Sequence, residues 1–276
     1  MTDYLPISPA GRTYGCYRDN PASPARKMLA LAPSNVVLPP SMLNLVPFMG
    51  YIRDQGQEGS CTGQMAAAVR DLLYRRQYAY EANKSVPAAF FKVSASFIYK
   101  SNLIADGDLG TDAGSSIHQS FITLNQKGAC LESQEPYSDS DYSTLPSAVQ
   151  MTEALIYKGG SYHYLPNLQI MKQCLASGYS FGFGIDVYTS FETMWAKPGF
   201  MPMPNIGHEQ LLGGHAQHVI GYDDAIQCLL VQNSWGSKWG ISAPGRSDGG
   251  CYWMPYKFVQ AGLANDAWMI HLGKAW

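Results

Sequence analysis

The residue pattern of the chain changes near its middle, and this change constrains the fold more than any other feature. From Cys61 to about Glu81 the sequence is rich in Ala, Met and Leu, and Gly59-Ser60 just before it can form a turn and cap. The second half instead carries short apolar runs separated by turn residues, such as 217–222 and 228–232. A helical half followed by a β-rich half predicts an α+β fold with two lobes.

The same patterns predict further elements and divide the chain into segments. Helices are predicted over 94–103 and from 116 to 126, strands over 179–187 and 249–253, and a connecting loop over 138–150. Proline-rich residues 1–37 predict an extended arm or short propeptide-like segment. Residues 38–150 predict a helical lobe, and residues 151–276 predict a β-rich lobe.

Composition excludes several classes of protein. The net charge is −2 and only 14% of residues are charged, so no basic footprint for nucleic acid is expected. No run of 18 apolar residues predicts a membrane span, and the first residues lack the apolar stretch of a signal peptide. We therefore expect a cytoplasmic protein, or one exported without a conventional signal. The six cysteines are scattered without a CxxC pair, which favours free thiols and no metal or other cofactor.

Cys61 lies at the predicted start of a helix, where unpaired N–H groups and the helix dipole stabilise a thiolate. Its own N–H and the side-chain amide of Gln55 could donate to a developing oxyanion. Taken alone, a cysteine here is better interpreted as a buried structural thiol, because free cysteines are among the most buried residues.

His215 and Asn233 change that interpretation, because they occupy neighbouring predicted strands. An asparagine carbonyl facing the histidine would fix its tautomer and leave the other ring nitrogen for a thiol. Trp235 would shelter this hydrogen bond from water. His218 is an alternative base, but it is three residues away and so faces the opposite side of the strand, as a packed strand histidine would.

With these residues in this order, the sequence resembles the papain (C1) family of cysteine peptidases. Three blocks carry the resemblance over residues 38–270: Asp54-Gln55-Gly56-Gln57-Glu58-Gly59-Ser60-Cys61, then His215-Ala216 with Val219-Ile220-Gly221-Tyr222, and Asn233-Ser234-Trp235-Gly236 with Trp239-Gly240. It implies a papain-like fold with a helical left lobe, a β-barrel-like right lobe and the active site between them.

The resemblance also implies a role for each matching residue. Cys61 would be the nucleophile, His215 the general base, Asn233 its orienter, Gln55 an oxyanion donor and Trp235 the shielding ring. Substrate would pair with Gly114 and Ser115, and Ala216 would line the pocket for the second residue before the scissile bond.

Two positions depart from the eukaryotic members of the family. Thr62 follows the nucleophile where those enzymes have Trp, and Glu58 stands where they have a disulfide cysteine. These departures resemble the bacterial and viral branch of the family.

The implied activity is hydrolysis of peptide bonds in peptide or protein substrates by a monomer. The same residues could transfer the acyl group to an amine, as a transpeptidase or deamidase does. A binding module that has kept only the fold is a further alternative, although none of the four catalytic residue types is replaced. We also consider that residues 1–37 fold across the cleft and restrict it, with a leader of no such role as the alternative.

Overall fold

The computed structural model describes residues 8–32, 37–83, 91–193 and 199–273. The helices are α1 Pro24–Met28, α2 Cys61–Ala82, α3 Ala95–Asp106, α4 Ile117–Gln126, α5 Ala148–Ile156, α6 Leu168–Ala176, α7 Thr189–Thr193 and α8 Tyr256–Gln260, with a 3₁₀ turn at Val46–Phe48. The strands are β1 Cys16–Tyr17, β2 Ser41–Met42, β3 Ser115–Ser116, β4 Gly159–Tyr164, β5 Phe181–Tyr188, β6 Leu211–Asp223, β7 Cys228–Gln232, β8 Cys251–Pro255 and β9 Ala264–Leu272. Among the helices described, none has the length and apolar character needed to cross a membrane.

The predicted helices of the first half are confirmed. α2 begins at Cys61 as expected and runs for 22 residues, because its alanines and leucines have high helix propensity and pack inward. In α3 and α4, Ser94 and Ser116 cap the helices, each accepting a hydrogen bond from a backbone N–H in the first turn. The structure therefore places the candidate nucleophile at the N-terminus of a long buried helix.

The second half forms most of a seven-stranded sheet with the order β4-β9-β5-β6-β7-β8, and β2 pairs with β6. Its strands pair antiparallel, and β7 has the bounds predicted from the sequence. The described strands do not close on themselves, so the expectation of a barrel-like lobe is corrected to an open sheet. Barrel closure depends on register between distant strands, which local sequence patterns do not encode.

The prediction of a loop over 138–150 is wrong for its last three residues, which are helical. α5 begins at Ala148, where Ser147 and Gln150 form a capping box, each side chain bonding the other residue's backbone N–H. The sequence interpretation also missed β4 and β9, which are neighbours in the sheet.

Two buried hydrophobic clusters form the interior. One lies mainly within the sheet and its covering helices, and the other contains α2, α3 and α4 together with residues of β6 and β9. Close packing between α2 and the sheet depends on Gly182 of β5, because a Cβ there would overlap the sulfur of Met65. This contact holds the start of α2 against β5 and β6, where the candidate site lies.

Candidate active site

Cys61 lies at the first position of α2 and is fully buried. The hydroxyl of Ser60 does not cap this helix; it lies 2.9 Å from the hydroxyl of Tyr137 instead. The first N–H groups of α2 therefore have no side-chain cap, and their partial positive charge faces the thiol.

Burial raises the pKa of the Cys61 thiol to about 11, although backbone N–H groups of Ala216, Gly15 and Thr62 point to the sulfur and oppose the rise. All six cysteines of the chain are free thiols, in agreement with the sequence prediction. Burial in this conformation therefore opposes ionisation of the Cys61 thiol.

His215 lies in β6 and is buried beside Asn233, which follows the end of β7. The ring Nε2 is 2.7 Å from Asn233 Oδ1, which also accepts from the N–H of Ser234 at 2.8 Å. Because an asparagine oxygen can only accept, this contact puts a hydrogen on Nε2 and leaves Nδ1 as the acceptor in the neutral ring. Nδ1 is buried and has no hydrogen-bond partner among the described residues. Burial lowers the pKa of His215 to about 4.

Trp235 covers the His215–Asn233 pair. Its ring stacks on His215 with centroids 5.0 Å apart and an interplanar angle of 25°. The guanidinium of Arg12 lies 3.9 Å from the centroid of the Trp235 ring, and Tyr14 packs edge-on against His215 with centroids 5.9 Å apart. The pair is therefore covered both by Trp235 and by residues of the N-terminal segment.

Gln55 is buried next to this group, and Ser234 holds it in place. Its Oε1 accepts a 2.7 Å hydrogen bond from the Ser234 hydroxyl, and its Nε2 donates to the carbonyl oxygen of Glu58 at 2.9 Å. An amide nitrogen has two hydrogens, so one remains for another acceptor. Ser234 was not singled out from the sequence, although it lies between two of the residues that were.

His218 faces away from His215, as its spacing predicted. Its Nδ1 lies 2.9 Å from Oε1 of Gln232, and both side chains are buried. His218 is a packed strand histidine with its own amide partner.

Residues 8–32 belong to the predicted N-terminal arm and are hereafter called the arm. Gly15 and Cys16 of the arm lie against the cleft, which we define as the surface formed by Cys61, Gly114, Gly184 and Gly214. β1 of the arm pairs with β3 in parallel, and the Ser115 N–H donates to the Gly15 carbonyl oxygen at 2.8 Å. The predicted substrate-pairing residues Gly114 and Ser115 therefore lie against the chain's own N-terminal segment.

Gly15 is the point of closest approach between the arm and the cleft. A Cβ on Gly15 would overlap the carbonyl oxygen of Gly59, and one on Gly114 would overlap that of Gly15. The next residue of the arm, Cys16, lies on the floor of the cleft. A Cβ on Gly214 would overlap the carbonyl oxygen of Cys16. This contact was not predicted from the sequence, because a glycine in a segment without periodicity has many explanations.

Glu58 is also buried, three residues before Cys61. Its Oε2 accepts a 2.8 Å hydrogen bond from the hydroxyl of Tyr137. Burial raises the pKa of Glu58 to about 7, which the hydrogen bonds from Ser60 and Tyr137 only partly oppose.

Comparison with known proteins agrees with this architecture. The profile described as papain family cysteine protease matches residues 47–244. An uncharacterized peptidase C1-like protein of Acanthamoeba polyphaga mimivirus is 31% identical over 228 residues, covering 79% of this chain and 68% of the relative. A cathepsin B-like protein of Giardia intestinalis is 28% identical over 204 residues, covering 68% of this chain and 60% of the relative.

Among solved structures, the crystal structure of xylellain, a cysteine protease from Xylella fastidiosa, is similar with a TM-score of 0.80. The two chains are 30% identical, and the match covers 95% of this chain and 96% of that one. The α+β architecture and these relatives define a hydrolase of the cysteine protease class. The chain belongs to the papain (C1) family, with a viral and a bacterial relative.

Proposed function

We propose that this protein hydrolyses peptide bonds with Cys61 as nucleophile, His215 as general base and Asn233 as the residue that orients the base. The observation that carries the proposal is the buried 2.7 Å contact between His215 Nε2 and Asn233 Oδ1. This contact leaves His215 Nδ1 as the proton acceptor. His215 is followed in the same strand by Ala216, whose N–H points to the Cys61 sulfur. Such an arrangement of thiol, imidazole and orienting amide suits acyl transfer through a thioester.

In the first half of the reaction, His215 Nδ1 takes the thiol proton and the sulfur attacks the substrate carbonyl carbon. The tetrahedral intermediate then collapses: the C–N bond breaks, and His215 gives its proton to the leaving amine. In the second half, His215 takes a proton from water, the hydroxide attacks the thioester, and the C–S bond breaks. The released thiolate recovers a proton, so one water is consumed for each peptide bond.

The oxyanion of each intermediate needs donors, and two are available beside Cys61. The N–H of Cys61 belongs to the uncapped first turn of α2, and Gln55 Nε2 keeps one hydrogen after donating to Glu58. Removal of one such donor in an enzyme of this kind costs about 10²- to 10³-fold in kcat.

We also propose that the arm keeps the full-length protein inactive. It covers Cys61 with Gly15, packs Tyr14 on His215, and occupies the backbone of Ser115. Because burial raises the pKa of the thiol and lowers that of the imidazole, the closed arm opposes proton transfer between them as well as substrate entry.

The test is hydrolysis of a panel of dipeptidyl fluorogenic substrates by full-length variants. Gly15→Ala should displace the arm, because its Cβ overlaps the Gly59 carbonyl, and hydrolysis should rise about tenfold or more. Ala22→Val, a bulkier residue at an exposed arm position, should leave the rate unchanged.

In the Gly15→Ala chain, Cys61→Ala should abolish hydrolysis, and Cys228→Ala, which removes another free cysteine, should retain it. Equal rates with and without Cys61 would contradict the peptidase proposal. Hydrolysis that depends on Cys61 but is equally fast in the unmodified and Gly15→Ala chains would contradict only the role of the arm.

A further inference from the structure

Two carboxylates at the edge of the cleft are met by arginines of the arm. Asp186 of β5 lies opposite Gly214 of β6, the residue before His215. Arg18 binds both oxygens of this carboxylate, with Nε 3.0 Å from Oδ1 and an ion pair from Nη2 to Oδ2. Such a two-pronged contact is the strongest geometry between arginine and a carboxylate.

Asp266 of β9 is the second carboxylate, and it is only 1% exposed. Arg26 forms an ion pair with its Oδ1, and the backbone N–H of Asp19 donates to its Oδ2 at 3.0 Å. Asp266 also has a φ of 52°, a left-handed conformation that is uncommon outside glycine and is concentrated at functional sites.

Asn265 joins the two carboxylates into one cluster. Oriented with its side-chain nitrogen toward Asp266, it donates to Oδ2 at 2.8 Å, and its oxygen accepts from Arg18 Nε at 3.2 Å. Asn265 pairs with Gly184 in the sheet, and Cys16 of the arm lies over that glycine. The acidic cluster (Asp186, Asn265 and Asp266) is thus continuous with the floor of the cleft.

Displacement of the arm removes both guanidinium groups from this cluster. In the part of the chain that is described, the ion pairs of Asp186 and Asp266 are those with Arg18 and Arg26. A buried carboxylate that loses its cation is strongly destabilised, and Asp266 would keep only the Asn265 amide from this set. The open cleft therefore presents an acidic site with a high affinity for another cation, at the place where a guanidinium is already seen to fit.

We propose that the acidic cluster is a substrate subsite that selects Arg or Lys among the three residues preceding the scissile bond. The inference rests on the proposed peptidase function. It assigns the arm's arginines as occupants that imitate the substrate side chain. The path of the arm indicates that the subsite takes a residue before the scissile bond. Gly15 lies over Cys61, and the next residue, Cys16, pairs with Ser115, the residue expected to pair with substrate. Arg18 follows two residues later.

The test measures kcat/KM of full-length Gly15→Ala protein on peptides that carry Arg, Lys, norleucine or citrulline at each of those three positions. Citrulline keeps the shape of arginine without its charge. At one position Arg should exceed citrulline by about 10- to 100-fold, the effect of a charge-assisted contact. Asp186→Asn and Asp266→Asn should reduce that ratio towards one. Asparagine also tolerates the left-handed backbone at 266.

Glu81→Gln is the matched control, because it makes the same carboxylate-to-amide change at an exposed position at the far end of α2, roughly 30 Å from Cys61. It should leave the Arg/citrulline ratio unchanged. Hydrolysis without discrimination between Arg and citrulline, or discrimination that survives both Asn variants, would overturn the subsite and leave the peptidase function standing. Failure to cleave any peptide would overturn both.

A second measurement leaves the acidic cluster intact, so it does not depend on how the Asp variants fold. The full-length double variant Arg18→Gln/Arg26→Gln should cleave the preferred Arg peptide at least about tenfold faster than the unmodified chain, because the arm no longer competes for the subsite. Lys27→Gln, at an exposed neighbouring position of the arm, should have no effect. Equal rates for the double variant and the unmodified chain would count against the arm's arginines as substrate mimics.

Discussion

Replacement of Asn233 by Ala tests the orientation of the catalytic base. The change removes the oxygen that lies 2.7 Å from His215 Nε2 and leaves that N–H buried without its acceptor. His215 would then lose the interaction that selects the Nε2–H tautomer, so Nδ1 would hold a proton in part of the population and could not accept one from Cys61. The backbone of Ser234 would also lose an acceptor, since its N–H donates to the same oxygen.

The magnitude follows from the cost of a buried unpaired donor. Such a group costs about 1–3 kcal/mol, and each 1.4 kcal/mol corresponds to a factor of about ten in rate. We therefore expect kcat/KM of the Gly15→Ala chain to fall by about 5- to 150-fold when Asn233 is replaced. The loss should appear in kcat, because Asn233 orients the base and is not expected to touch the substrate.

The assay is steady-state hydrolysis of a dipeptidyl substrate, with the free energy of unfolding measured in parallel. Gln232→Ala is the matched control, because Gln232 directly precedes Asn233 and holds the other strand histidine in the same way. The change removes the amide oxygen that lies 2.9 Å from His218 Nδ1. Both variants should lose comparable stability, but only Asn233→Ala should lose kcat. Equal losses of kcat in the two variants, or none in Asn233→Ala, would refute the assignment of His215 and Asn233 as base and orienter.

Three further predictions concern the arm and the surroundings of the thiol. Alkylation of Cys61 by iodoacetamide should titrate at higher pH in the unmodified chain than in Gly15→Ala, because burial under the arm raises the pKa of the thiol to about 11; coincident pH profiles would contradict this. Tyr14→Phe loses the 2.6 Å hydrogen bond to Glu192 and should speed peptide hydrolysis by roughly 5- to 30-fold, the effect of about 1–2 kcal/mol on arm closure. The pKa of Glu58 rises from 4.5 to about 7 on folding, so the folded state holds more protons and the free energy of unfolding falls by about 3 kcal/mol as pH rises through that window; chemical denaturation at about pH 5 and pH 8 should show that Glu58→Gln abolishes this fall.

Local patterns in the sequence were sufficient to predict the framework of the site. The start of α2 at Cys61 follows from residues next to each other in the chain, and so does the opposite orientation of His215 and His218 on one strand. The family resemblance then linked Cys61 to residues in the other half. These features are predictable because helix propensity and strand alternation are properties of short segments.

Features that depend on contacts between distant segments were not predictable. The open sheet depends on β9 inserting between β4 and β5, and the nine residues of β9 do not alternate clearly between polar and apolar. The arm has no periodicity, so its path could not be derived from its own residues. Its course depends on the fit of Gly15 between Gly59 and Gly114, and on ion pairs to Asp186 and Asp266, which lie far away in the sequence.

The most direct test of Cys61 as the nucleophile is to trap it with an inhibitor that forms a covalent bond. A peptidyl epoxide or halomethylketone is added to the full-length Gly15→Ala protein, and the modified residue is identified by intact mass and peptide mapping. With six free thiols in the chain, the result discriminates sharply. We expect a single adduct on Cys61, formed in step with the loss of hydrolysis and strongly slowed in His215→Ala. An adduct on another cysteine, or full hydrolysis after complete modification of Cys61, would contradict it.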